Sequence, residues 1–549
     1  MKTNKTFFGL VLSVLIFLSM NIIAQDIVDV PTEINGEPLG AINKFIQGDT
    51  TATGERNNPD RIYRLKRGAT YFINGPLTSV GYHLRLVGEE DPDPANPTAP
   101  AVIAPGIRPD GSSAGLLMTI KGDATIKNIY FKGTSPTQVA VGRALSVLKD
   151  SVRIEIDNCH FDWVKWITIQ VKATDTKIFI TNCYFRNIQH PAGPYNGRGL
   201  NLHNNNADSV VMVNNTFYNI NSFAFQGRSS IIKYFQFEHN TLVNTIKWPL
   251  QWSWPTNAII SNNIFYNAHS YGEAPSDLPG QDYDGQLFGI INVDTVTTDM
   301  GVNEAERVVT VNNNCWYYSQ EVQDYITAFD SVSIEPWMNE RTSYMFNEAA
   351  DYPGFVEENT LNEDPGFNDA MTSAALMTDW MSLKRSTGTT GYQWGPKGEN
   401  DDIFGMIWPL PEDLSYATSS TLYSAADGGF PVGDLNWFPD KKAEWEDWLT
   451  DVESDNVINT VPKEYSLNQN YPNPFNPTTV ISFNLPEKSM VTLTVFNILG
   501  EEVATVFSGV KNAGAHKVNF NATNLPSGVY IYKLSAGNYT ASKKMMLLK

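Results

Sequence analysis

The chain repeatedly alternates apolar and polar residues over a few positions, turns at asparagine, and then places one large apolar side chain. Seven segments superpose on this pattern: ATIKNIYFKG (124–133), RIEIDNCHFDW (153–163), IFITNCYFRNI (178–188), VVMVNNTFYNI (210–220), FQFEHNTLVNT (235–245), AIISNNIFYNA (258–268) and VVTVNNNCWYY (308–318). The large residue is in turn Phe131, Phe161, Phe185, Phe217, Leu242, Phe265 and Trp316, at steps of 30, 24, 32, 25, 23 and 51 residues. Alternation ending in a turn residue predicts a short strand with one buried face, and its recurrence predicts a repeat architecture. Units of 22 to 25 suit one coil of a wound chain, and the longer steps carry loops or, for the last, a second weak coil.

One coil cannot bury its apolar residues alone. Coils stacked about 4.8 Å apart put like residues over like. Two polar columns support stacking. Asn215, Asn240, Asn263 and Asn314 stand two residues before the large apolar residue; Asn187, Asn219, Asn244 and Asn267 stand two after it. Stacked buried amides can hydrogen-bond to each other and to the turn backbone, so both columns read as structural. Cys159 and Cys183 replace Asn on adjacent coils, where reduced thiols or a disulfide are both open.

A second strand series runs between the columns: ALSVL (144–148), WITIQV (166–171), GLNLH (199–203), FAFQG (223–227), PLQWS (249–253) and FGIIN (288–292). Alternation turns Ile167, Ile169, Leu200, Leu202, Phe223 and Phe225 inward. It leaves Thr168, Gln170, Asn201, His203, Gln226, Gln251, Ser253 and Asn292 outward, flanked by Trp252 and Trp254. Amides beside exposed aromatics suit a sugar surface, so Gln170, Asn201, Gln226, Gln251 and Trp252 are the candidate substrate-binding residues. Arg143, Lys165, His190, Arg198, His203, Arg228 and Lys247 gather beside the strip. A solvated basic rim on an acidic body is the plain alternative.

The Asn columns and aromatic stack, with the motif NNxFxN, resemble those of pectin-lyase-like right-handed parallel β-helix proteins over roughly residues 60–320. The fold this implies is all-β: a right-handed parallel β-helix, then a capping region and a small C-terminal β-sandwich. LGAINKFIQ (39–47) reads as an amphipathic cap over the open end, where a bare parallel edge would invite aggregation. The resemblance also implies polysaccharide as partner. Lyases of that group use Arg or Lys as the base of β-elimination, with a second cation or calcium on the uronate carboxylate, because the enolate-like charge must be stabilised. On that implication, placed by position alone, Arg198, Arg228 or Lys247 is the candidate base and His203 assists. Inverting hydrolysis needs paired carboxylates on outward positions, and the strip has none. No cofactor is demanded. Ca2+ is the one ion considered, with GQDYDG (280–285) and NEDPGFND (362–369) as weak oxygen donors more readily read as turn residues.

Charge sharpens the picture. The 549 residues carry a formal net charge of −20. The first 25 hold two Lys and no acid, and 463–549 hold eight Lys against four Glu, which leaves −26 on 26–462. So acidic a middle excludes nucleic acid and anionic lipid as partners. A polyanionic sugar would have to be met by local cations. The three Cys lie in no CxxC pair and no zinc spacing.

The two ends read as transport signals. Lys2 and Lys5 precede FFGLVLSVLIFLSM, and a small Ala24 follows, as in a signal peptide of residues 1–24. No later stretch is apolar enough to span a membrane, so the mature chain is expected to be secreted or held at the outer surface as a monomer. The last segment carries YPNPFNPTT (471–479), NILGEEV (497–503), LPSGVYIYKL (525–534) and a basic KKMMLLK end on short alternating strands. It closely resembles the C-terminal sorting domain of type IX secretion substrates of the Bacteroidetes group, which implies that machinery as partner. The expected order is signal peptide 1–24, β-helix with N-terminal cap 25–320, closing region 321–455, linker 456–464 and sorting domain 465–549. GGFPVGDLNWFPDKKAEWEDWLTDV resembles a closing motif of surface β-helix proteins and predicts a helix after Pro439. Two functions stay open: a polysaccharide lyase, or a non-catalytic adhesin or glycan-binding protein.

Overall fold

The computed structural model describes residues 26–93, 96–272, 287–297, 300–329, 337–369, 373–397, 402–456, 465–470, 473–486, 489–511, 514–523, 525–537 and 539–548. The signal-peptide segment 1–24 and most of the linker lie outside them. Two compact units result, one ending at Trp445 and one beginning at Glu446.

The first unit is a parallel β-helix. Each coil contributes up to three strands, and we name the resulting parallel sheets I, II and III in the order the chain visits them. Sheet I includes Arg153–Asp157, Thr176–Thr181 and Ala207–Val213, paired in parallel with unbroken register through most of its length. Sheet II includes His160–Asp162, Tyr184–Ile188 and Thr216–Ile220. Sheet III includes Arg143–Val147, Ile167–Val171 and Arg198–Asn201. The strand Phe225–Glu238 runs through the corner, pairing in sheet III at its start and in sheet I at its end.

The asparagines make the corners possible. Asn128, Asn158, Asn182, Asn214, Asn262 and Asn313 have φ between 49° and 60° at the turn from sheet I to sheet II. Asparagine tolerates that left-handed conformation better than most L-residues. The next residue points inward and builds the first ladder. Asn240 Oδ1 accepts the Asn215 backbone amide at 3.0 Å and Asn215 Nδ2 at 2.9 Å, and Asn263 and Asn314 repeat the pattern. At the head of this column the Cys183 amide donates to Asn215 Oδ1, while Cys159 and Cys183 are buried unbridged thiols. The second column also forms, Asn267 donating to Asn244, Asn244 to Asn219 and Asn219 to Asn187. Inside, Phe131, Phe161, Phe185 and Phe217 stack with ring centroids 4.9, 5.1 and 4.6 Å apart.

At the N-terminal end the helix Ala41–Gln47 lays Ile42 and Ile46 on the core. At the other end Met338, Met345 and Phe355 join the same core.

The rest of the region expected to close the helix does something different. Residues 402–438 lie along the outer face of sheet II. Ile403 O accepts from Thr134, Gly405 O from Lys132, and Glu412 pairs with Arg186. Further on, Asp427 accepts from Asn262 and Asn313, Gly433 O meets His239, and Asp434 accepts from Thr216. Trp408 packs edge-on against Tyr130 and His160, and Trp437 against Tyr184. This strap is a lateral cover of sheet II, in addition to the end closure that Met338, Met345 and Phe355 of the same region provide. The helix after Pro439 forms, and Trp445 packs on His239 at 5.2 Å.

The FGIIN segment is a further correction. It forms no strand; Asn292 instead closes a local turn through two 2.8 Å bonds with Gly289.

The second unit holds two antiparallel sheets. One has strands Ser466–Leu467, Thr478–Leu485 and Gly514–Asn521; the other runs in the order Glu502–Lys511, Ser489–Phe496, Gly528–Ala536, Tyr539–Leu547. Their inner faces share Phe483, Leu493, Val495, Tyr532 and Leu534.

Candidate functional site

With the strap over sheet II, the outer face of sheet III is where the sequence places its candidate chemistry. One outward position is polar on seven consecutive strands. Thr78, Thr119, Ser146, Gln170, Asn201, Gln226 and Gln251 are in parallel register, one above the next. Six strand spacings make this column about 29 Å long. The residues on either side of it in each strand point into the core: Leu145 and Val147, Ile169 and Val171, Leu200 and Leu202.

These amides are less open than alternation suggests. Asn201 is 2% exposed; its Nδ2 donates to Gln226 Oε1, and Gln226 Nε2 donates to Gln251 Oε1. The ladder therefore consumes much of the hydrogen-bonding capacity expected to serve a sugar. Asn201 Oδ1 is left buried and without a partner. Thr168 is buried, and the Trp252 and Ser253 side chains lie outside the described residues. Phe223, expected in the core, belongs to a separate cluster with Trp248 and Phe288.

The cations divide into two rims. At the strand starts Arg143 and Arg198 share one register position, each paired with Ile167 between them, so they lie two strand spacings apart, about 9.6 Å. Trp166 precedes that intervening strand. It is 41% exposed, stacks on His190 at 6.2 Å and lies under the Arg143 guanidinium at 5.7 Å. Arg198 is held by Tyr195 O and Asn196 Oδ1 and lies over Phe223. Past the polar column, His203 and Arg228 are exposed in left-handed backbone, φ 51° and 53°, His203 beyond its strand and Arg228 at an irregularity within the strand Phe225–Glu238.

Electrostatics ties the rims together. Burial, and then the charge of Arg228, pulls Arg198 down to about 10. His203 is lowered by burial and by Lys172, Arg143, Arg198 and Arg228. His190 is lowered by burial and Lys165. In all three cases the neighbouring charges are cations. This is a positive field on a strongly acidic unit.

Lys247 does not join it. The side chain is completely buried, donates to Gly272 O at 3.0 Å, and lies over the rings of Tyr195 and Tyr271 at 4.8 Å each. Its expected place beside the strip is corrected: it is packed inside the wall. Trp166 and Lys172 went unselected as site residues. Both were within reach of the sequence pattern, because they immediately flank the strand ITIQV.

For calcium, GQDYDG lies outside the described residues. In NEDPGFND, Asp364 caps the Gly366 amide and Asn368 bonds to Ser415, as in an ordinary turn. Among the described residues no group of three His, Cys, Asp or Glu side chains is placed to hold a metal ion.

The fold and this face define a parallel β-helix protein with a polar, cation-rimmed sheet. Residues 469–548 match the family described as "Secretion system C-terminal sorting domain". The chain thus ends in a type IX sorting domain and is a protein of the cell surface or the medium. No helix among the described residues is long and apolar enough to cross a membrane. No curated protein matches the chain.

Proposed function

We propose that this exported protein binds acidic polysaccharide along sheet III. The observation that carries the reading is the cluster of cations around His203, whose imidazole feels Lys172, Arg143, Arg198 and Arg228, with Trp166 exposed on the strand between the two register-matched arginines. A carboxylated sugar chain laid across the strands would meet guanidinium groups on alternate strands and an aromatic platform between them. Guanidinium recognises carboxylate through paired N–H donors, and an exposed indole offers a flat apolar surface to a sugar ring. The local cations answer the long-range repulsion of the acidic body, which salt screens in any case.

Lyase chemistry is the second reading, and one feature favours it. Burial and the charge of Arg228 pull Arg198 down to about 10, toward the range in which it could accept the proton beside a uronate carboxylate while Arg228 faces the developing negative charge. The electron pair left on carbon would expel the glycosidic oxygen and leave an unsaturated uronate. The resemblance to pectin-lyase-like proteins, which is what suggests this chemistry, rests on the sequence columns alone.

Affinity electrophoresis of the mature protein in gels containing polygalacturonate, alginate, hyaluronan or a neutral glucan tests both readings. Retardation by acidic polymers alone is expected. Equal mobility in every gel sinks the binding proposal. A rise in unsaturated-uronate absorbance during incubation separates lyase from binder.

A further inference from the structure

The sorting domain presents one feature that its own folding does not explain. Ile498 and Leu499 are 74% and 78% exposed, more than any other large hydrophobic residue among those described as exposed. They sit at the tip of the hairpin joining the strands Ser489–Phe496 and Glu502–Lys511. Elsewhere in these strands the apolar residues Leu493 and Val495 point into the domain core.

The turn that carries the pair is braced by its own hydrogen bonds. Asn497 Oδ1 accepts the backbone amides of Leu499 at 2.9 Å and Glu501 at 3.0 Å, and Asn497 Nδ2 donates to Glu501 Oε2 at 2.8 Å. The Asn497 amide donates to Glu501 O, and the Gly500 amide to Asn497 O. Gly500 has φ 82°, which a side chain would strain. Two large aliphatic groups are thus displayed on a braced backbone, so little ordering cost remains when something covers them.

We propose that the Asn497–Glu501 turn is a surface by which the secretion machinery reads this domain, with Ile498 and Leu499 entering an apolar pocket. The occupant follows from what the domain is: a sorting signal has to be read from outside, and core residues are not available for reading. Charge specifies the pocket further. Glu501 and Glu502 are exposed at the base of the turn, two of only four Glu on 463–549 against eight Lys. The receiving pocket therefore carries a basic rim. This inference is independent of the polysaccharide reading.

The test uses the full-length chain expressed in a bacterium with a type IX system, scored by immunoblot of envelope, surface and medium fractions. Ile498→Ser with Leu499→Ser is expected to lower the exported fraction by about tenfold or more, as loss of two buried aliphatic contacts implies. The chain should collect in the envelope with an unchanged melting temperature. Met490→Ser, on a residue of the same domain that is 58% exposed, is expected to export normally. The exchange Ile498→Leu with Leu499→Ile should restore export. Normal export of the double serine variant overturns the proposal, and so does equal impairment by Met490→Ser. If the purified wild-type chain is a dimer in light scattering and the double variant a monomer, the turn is a self-contact and the proposal also fails.

Discussion

Arg186 and Glu412, 226 residues apart in sequence, share a buried ion pair in which the guanidinium Nη2 lies 2.7 Å from the carboxylate and Nε donates to the same oxygen at 2.8 Å. The pair pins the strap to sheet II. Arg186 also faces Asp162, which takes hydrogen bonds from Tyr130 at 2.7 Å, Lys132 at 3.1 Å and Asn187 at 3.1 Å. Burial alone would push Asp162 up, but Lys132 and Arg186 outweigh it and hold the carboxyl below its usual range. Removing one partner of such a pair leaves a buried charge uncompensated, at roughly 3–5 kcal/mol. Glu412→Ala is therefore expected to lower stability by about that amount in chemical denaturation. It should also expose the strap to limited proteolysis ahead of the coils. Cleavage at the wild-type rate would show that the strap is held by its aromatic contacts instead.

The first Asn column makes a prediction with two signs. Asn240 accepts from Asn215, donates to Met212 O and Asn263 Oδ1, and gives its amide to Asn263. Asn240→Ala strips a buried backbone N–H of its acceptor and is expected to cost about 2–4 kcal/mol. Cys183→Asn extends the same column by one coil, replacing the weak 3.5 Å contact from the Cys159 amide to the Cys183 sulfur. An amide acceptor there should stabilise by about 1 kcal/mol. Urea denaturation of both variants checks the pair; a destabilised Cys183→Asn protein would mean the sulfur site is too small for an amide.

These columns were legible because a coil recreates the same environment every 23 to 25 residues, and a few aligned segments expose it. The strap was not, since its partners, such as Thr216 and Asp434, are 218 positions apart and follow no period. Lys247 shows a second limit. Alternation gives a direction only within a strand, and Lys247 follows the strand Thr241–Thr245, in a turn where Tyr195 and Tyr271 close over it from separate segments. The amides Asn201 and Gln226 were placed on the correct face, yet their mutual bonding depends on register between coils, which composition does not encode.

Stability should fall as pH rises through neutrality. Burial, and then repulsion from Asp427, pushes Glu238 from its ordinary 4.5 up to about 7. An acid with a raised folded pKa favours folding fully below pH 4.5 and loses that contribution as pH climbs through 7. The loss is on the order of 3 kcal/mol. Glu238→Gln removes the titration, so its melting temperature relative to wild type should be higher at pH 8 than at pH 4.5. A difference independent of pH would place the titrating group elsewhere; Asp434, pushed up to about 6 by burial, is the next candidate.

The proposed strip separates residues that touch a ligand from those that only build the wall. Arg198→Ala and Arg228→Ala should each weaken binding to an acidic polysaccharide, by about fivefold to tenfold for the loss of one charge-assisted contact. Their effects should shrink at high salt, because the contacts are charged and exposed to screening. Lys247→Met is expected to behave in the opposite way. Its ammonium is sealed under Tyr195 and Tyr271 and bonded to Gly272 O, so the substitution should change the melting temperature while affinity per folded molecule stays the same. His203→Gln probes the far rim. Its imidazole is held below its ordinary range by burial and by Lys172, Arg143, Arg198 and Arg228. Binding should therefore strengthen on acidification below the usual histidine range in the wild type, down to the pH where the polymer's own carboxylates protonate, and not in His203→Gln. Measuring affinity at pH 7 and pH 5 for all four variants distinguishes the cases. If Lys247→Met weakens binding as much as Arg198→Ala does, the ligand lies in the wall and not on sheet III.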